Sequence, residues 1–237
     1  MKLYKYRDLS VPTDASLNRT FEILRSGAFW CASPDTLNDP TELIWECDYE
    51  PSKVTTSLLS EILVRTRGLA LNEALAKATS AVTDRRLEAL AKPIFEDMIQ
   101  RCRREIGLAC FATDNDSDIM WQRYGGGGNG VCIEVDVPDR LLDDQLFRVE
   151  YRSRKVLTID QLLSAFLDPK HVSVVYRVAL LSKPSCWSPE QEVRFVSRSQ
   201  NLGVRITDST ITSITFGRNL PVQVREKLSR FIESVGS

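Results

Sequence analysis

Residues 3–7 alternate between the two faces that a strand presents, Leu3-Tyr4-Lys5-Tyr6-Arg7, and predict an opening strand. From about Ser16 the period lengthens. Leu17, Phe21 and Leu24 share one helical face, and Gly27 supplies the stop. Ala28-Phe29-Trp30-Cys31-Ala32 follows as a short apolar run of buried-strand character. It leads into the turn-rich stretch Ser33-Pro34-Asp35-Thr36-Leu37-Asn38-Asp39-Pro40. Residues 54–105 are helical in pattern throughout, with Ala, Leu, Glu, Lys and Arg dominant and breaks near Gly68 and Thr83-Asp84. Beyond them the pattern predicts strands at 106–113, 130–136, 147–151, 172–181, 192–198 and 213–217. Helices are predicted at 159–166 and 222–235. Strands come in runs and not in strict alternation with helices, so the expected class is α+β with mainly antiparallel sheets. No linker-like segment interrupts the 237 residues, which gives one domain, 1–237, with a helical insert at about 54–105.

Charge narrows the function classes. Lys plus Arg number 31 against 32 Asp plus Glu, a balance that argues against a general nucleic-acid or membrane-surface binder and leaves room only for a local basic patch. The first residues, Met1-Lys2-Leu3-Tyr4-Lys5-Tyr6-Arg7-Asp8, carry no apolar signal core, and no run is long and apolar enough for a membrane helix. The six cysteines form no C-x-x-C pair, and most sit in apolar runs such as Leu108-Ala109-Cys110-Phe111. Reduced, buried thiols and a cytoplasmic location are expected. With one histidine and no ligand spacing, no metal site is expected.

Several motifs occur in a fixed order: Leu3-Tyr4-Lys5-Tyr6-Arg7, then Asn38-Asp39-Pro40, then Met120-Trp121-x-x-Tyr124, then Lys183-x-x-x-Trp187-x-x-Glu190-x-Glu192-x-Arg194. In this the chain resembles the bacterial domain-of-unknown-function family numbered twenty-nine seventy-one, over nearly all of its length except the helical insert. It departs from that family's usual residues in the glycine-rich run Gly125-Gly126-Gly127-Gly128-Asn129-Gly130. A second likeness is one of layout. ADP-ribosyltransferases place an aromatic and an Arg or His on an early strand, an aromatic/Ser strand after a helix, and a catalytic Glu, often as E-x-E, on a late strand. Tyr6-Arg7, Trp30 to Ser33 and Glu190-Gln191-Glu192 follow that order.

What the layout implies is NAD as co-substrate. Glu192 would stabilise the oxocarbenium formed when nicotinamide leaves, and Glu190 would aid an acceptor or water. Arg7 would hold phosphate through its planar fork. Tyr6, Trp30, Trp121 and Tyr124 would shape or stack on the ligand, and Ser33 would support the catalytic Glu. The transferred group would go to a macromolecular acceptor or to water, as in a toxin or defence protein. At strand spacing Glu192 and Arg194 share one face, so an edge strand with a paired Glu and Arg accounts for the same residues. A non-catalytic module binding a nucleotide or peptide in that groove is the alternative. A metal-dependent nuclease using Glu190, Glu192, Asp136 and Lys183 is a third reading, disfavoured by the lack of basic excess. Asn38-Asp39-Pro40 is expected to cap a turn, the glycine run to form a flexible hairpin or lid and not a phosphate loop, and His171 to be structural at the start of a strand.

Overall fold

The computed structural model describes residues 1–12 and 14–235. Strand β1 (Lys2–Arg7) leads into α1 (Asp14–Ser26), which ends at Gly27, whose φ of 67° only glycine adopts freely. Then come β2 (Ala28–Cys31) and β3 (Glu46–Asp48), and helices α2 (Thr55–Arg67), α3 (Leu71–Thr83) and α4 (Leu87–Glu105). Next are β4 (Gly107–Phe111), α5 (Asp118–Tyr124), β5 (Val131–Asp136), β6 (Leu146–Arg148), β7 (Glu150–Arg152) and β8 (Val156–Thr158). The remaining elements are α6 (Ile159–Leu167), α7 (Val172–Leu180), β9 (Ser182–Pro184), β10 (Val193–Ser197), β11 (Leu202–Arg205), β12 (Thr210–Phe216) and α8 (Val222–Val235). The class is α+β.

These elements pack as two compact units. One comprises Met1–Thr36, Glu105–Val149 and Cys186–Ser237; the other comprises Leu37–Arg104 and Glu150–Ser185. Each is discontinuous in sequence, and no linker composition marks the places where the chain passes from one to the other. The helical stretch up to Arg104 shares its unit with Glu150–Ser185.

In the first unit, β5 is flanked by β1 and β12, and β10 is flanked by β4 and β6, all antiparallel; β2 pairs with β11. Leu3, Phe29, Ala109, Phe111, Ile133, Val193 and Phe195 share its core with Leu17 and Ile23 of α1 and with Val224 and Leu228 of α8. In the second unit, Leu59, Ile62 and Leu63 pack on Ala74, Ala78 and Ala81 and on Ile159 and Leu163, beside the short parallel pairs β3–β8 and β7–β9. Thr158 and Gln161 start α6 with a reciprocal capping box.

Two strand expectations are corrected. Residues 172–181 form helix α7, and its buried Val175, Val178 and Ala179 fall at i, i+3 and i+4. A short valine-rich stretch satisfies either period until its neighbours choose one. His171 consequently ends a 3₁₀ turn before a helix and does not open a strand. The strand expected at 147–151 is two strands, β6 and β7, separated by Val149, whose N–H donates to the Glu192 carbonyl.

The glycine run is a packed joint and not a lid. Gly126, Gly127 and Gly128 all have positive φ. A Cβ on Gly130 would lie 2.0 Å from the Arg7 carbonyl oxygen. Asn219 holds the run from outside, with its N–H donating to the Gly128 carbonyl and its side-chain amide to the Gly127 carbonyl. Gly130→Ala must push β1 and β5 apart, and we expect it to lower stability by about 1–3 kcal/mol in urea unfolding, the usual scale for an overpacking clash. Wild-type stability in this variant would show that the run has slack.

Candidate functional site

Strand β4 organises the first unit. Along an antiparallel strand, alternate residues turn their N–H and C=O to the same neighbour. Leu108 exchanges both hydrogen bonds with Ala32, just past β2, and Ala112 exchanges both with Tyr4 of β1. Cys110 lies midway and faces the same edge, where β1 and β2 part. A side chain takes the place of a strand there: the Lys5 amine donates to the Cys110 carbonyl at 2.9 Å and sits 5.6 Å from the centre of the Phe111 ring. On the opposite edge of β4, β10 pairs in register, Arg194 opposite Cys110. The three segments holding Tyr6-Arg7, Trp30 and Glu192 thus meet around one strand.

Beside that junction lies a basic and aromatic cluster. Leu3, Lys5 and Arg7 share one face of β1, and Leu3 anchors that face in the core. The Arg7 Nε is buried without a hydrogen-bond partner. Burial first, and then the positive charge of nearby Arg19, push the Arg7 guanidinium below its ordinary pKa. Arg19, exposed on α1, lies over the Trp30 ring at 4.6 Å, a cation–π contact. Trp30 remains 36% exposed because Phe29 and Cys31 take the core face of β2 and leave it on the other. Opposite it on β11 is Gly203, which places no side chain beside the ring, and Arg205 stands opposite Ala28 on the same face. Among the described residues, Arg7, Arg19 and Arg205 form no ion pair. An anion that also carries a flat ring would meet charge, a donor and a stacking surface together.

The two glutamates behave otherwise. Glu190 is 3% exposed and accepts from Arg123 Nη1 at 3.0 Å and from the Tyr124 hydroxyl at 2.7 Å. Arg123 in turn lies over Trp187 at 4.8 Å. Gln191 takes a left-handed turn, φ 43°, between the two glutamates, so E-x-E is a bend that leads into β10 and not a continuous strand. Glu192, 5% exposed, accepts from Arg194 Nε at 2.7 Å. Glu192 and Arg194 do meet at i, i+2, but β10 is a central strand and the pair is buried, not displayed on a solvated edge.

The aromatics divide. Tyr6 faces away from Arg7, packs edge-on against Trp121 at 5.2 Å and donates its hydroxyl to the Asp114 carbonyl. Trp121 and Tyr124 join it in a small cluster with Met120 and Cys132, under the Ser117 cap of α5. Those three rings are therefore packed apart from the Arg7–Trp30 face. Ser33 closes a turn through its carbonyl, which accepts from the Thr36 N–H and hydroxyl, and it makes no hydrogen bond to Glu192. Asp39 caps its turn as expected: Oδ1 accepts from the Thr41 N–H and hydroxyl. Asp136 ends β5 beside the Met1 amine, and Lys183 lies buried in the second unit, on β9. Among the described residues, no three His, Cys, Asp or Glu side chains gather to hold a metal, and no helix is long and apolar enough to cross a membrane. All six cysteines are free thiols.

Sequence reasoning missed Lys5, Arg19 and Arg205. Lys5 was legible as the neighbour of Arg7 on one strand face; the other two reach the cluster only through helix and strand packing. Comparison with protein families, curated proteins and solved structures finds no match to this chain.

Proposed function

We propose that this chain binds a nucleotide of the NAD and ADP-ribose class, with its pyrophosphate on Arg7 and Arg19 and a ring against Trp30. The observation that carries the reading is the buried, unpartnered Nε of Arg7 beside the Arg19–Trp30 stack. A guanidinium donor kept from water without an acceptor costs about 1–3 kcal/mol, and a phosphate oxygen relieves that cost. Arg205 adds charge to the same face. The overall charge balance fits a small anion better than a long polyanion. Of the functions compatible with the sequence, nucleotide binding asks nothing more of these residues.

ADP-ribosyl transfer or NAD glycohydrolysis is the second reading. It is favoured by one observation: Glu192 is ion-paired with Arg194, which stands opposite Cys110, the residue whose carbonyl Lys5 bonds, so the carboxylate lies near the same junction. Its ion pair with Arg194 would have to open, or to hold the carboxylate against the ribose.

Titration calorimetry with NAD, ADP-ribose and ADP tests the binding reading. Arg7→Ala should weaken binding of all three about 10- to 100-fold, the worth of one or two charge-assisted hydrogen bonds. Trp30→Ala should weaken it less. Absence of binding by the wild type, or unchanged affinity in Arg7→Ala, overturns the proposal. Nicotinamide release in the same samples decides the second reading. Turnover that falls about 100-fold in Glu192→Gln supports it, and absence of release leaves a binding module.

A further inference from the structure

Lys5 is placed as a reactive group as well as a structural one. Its side chain is half-buried in the fork between β1 and β2, with its amine over the Phe111 ring and one hydrogen bond, to the Cys110 carbonyl. Arg7 follows two residues along the same strand face, about 7 Å away by strand rise. Burial is the main cause that lowers the Lys5 pKa, and the Arg7 charge adds to it; the thiols of Cys110 and Cys31 and the carboxylate of Glu192 oppose it. A lysine amine in apolar surroundings beside another cation holds more of its neutral, nucleophilic form at neutral pH.

We propose that the Lys5 amine condenses with the aldehyde of a reducing ribose, on a nucleotide whose phosphates sit on Arg7 and Arg19. This rests on the nucleotide-binding reading and narrows it to ligands that, like ADP-ribose, carry a free anomeric centre. The amine nitrogen attacks the carbonyl carbon of the open-chain sugar to give a carbinolamine. The carbonyl oxygen then departs as water with the two amine hydrogens, leaving a C=N bond. No oxidant, reductant or metal enters the balance. NAD, whose anomeric carbons are both in glycosidic bonds, has no aldehyde to offer and serves as the control.

The test is reductive trapping. The full chain is incubated with cyanoborohydride and either ADP-ribose, NAD or glyceraldehyde, and the nine lysines are mapped by peptide mass spectrometry. ADP-ribose is expected to label Lys5 ahead of the other eight and NAD to label none. In Arg7→Ala, labelling of Lys5 by ADP-ribose should fall about tenfold or more, in step with lost phosphate contacts, while labelling by uncharged glyceraldehyde falls much less, because burial and not the Arg7 charge is the main cause that keeps the amine neutral. Lys5→Arg, which can keep a donor for the Cys110 carbonyl, should lose the adduct and still bind. If ADP-ribose binds but Lys5 reacts no faster than the surface lysines, the condensation is refuted while the nucleotide reading stands. If ADP-ribose does not bind, both fall.

Discussion

Arg194→Met is expected to unfold at a much lower urea concentration than the wild type, with a stability loss of about 3–5 kcal/mol. Arg194 is fully buried in β10, between β4 and β6, and its Nε bonds Glu192 at 2.7 Å. Removing the guanidinium takes a charge-assisted hydrogen bond from the Glu192 carboxylate, which is itself only 5% exposed. The charge itself causes the loss, so removing it from both sides should restore much of the stability. Glu192→Leu/Arg194→Met should recover more than half of the single-variant loss, as buried ion pairs replaced by apolar groups of similar volume commonly do. Urea unfolding of the wild type, both single variants and the double variant completes the cycle. A double variant as unstable as the sum of the singles would show that the two side chains act separately.

Above about pH 9 the protein is expected to lose stability steeply, through its buried thiols. Burial pushes the Cys31 thiol up to about 11 and the Cys132 thiol up to about 12. In the unfolded chain both ionise from an ordinary value of 9.0. Between 9 and the folded values the unfolded state therefore binds fewer protons, and stability falls as pH rises; below 9 the contribution is fully present. At pH 10 each of these two groups withdraws about 1.4 kcal/mol, one pH unit of unopposed ionisation. Lys5 works the other way. Its folded pKa is depressed, so across the window below its ordinary value of 10.5 its contribution grows as pH rises. Denaturant melts at pH 8 and pH 10 separate the two signs. Cys132→Ala should shrink the alkaline loss and Lys5→Met should deepen it. Equal pH slopes in all three proteins would place the titrating groups elsewhere.

How much of this could be read along the chain follows from the range of the forces involved. β1, α1, β2, the breaks at Gly68 and Asp84, α6, β5, β12 and α8 rest on local periods, caps and glycines, and the sequence alone determines them. So does the placement of Arg7 opposite Tyr6, since successive strand residues point to opposite faces. Residues 172–180 were beyond such reasoning because valine-rich apolar runs fit two periods. The two units also lay beyond it, because each is assembled from segments far apart in sequence.

Tertiary structure alone decided the character of the candidate site. Strand spacing put Glu192 and Arg194 on one face, but only the tertiary structure buried the two and brought them together as an ion pair. Tyr6, Trp121 and Tyr124 satisfied an aromatic pattern yet packed together on the far side of β1. Arg19 and Arg205, unremarkable in sequence, became neighbours of Trp30 because α1 and β11 pack beside β2. Local sequence sets which face a side chain takes, since that needs only backbone geometry. Which charge it meets there depends on strands paired across a hundred residues, and that pairing belongs to the fold as a whole.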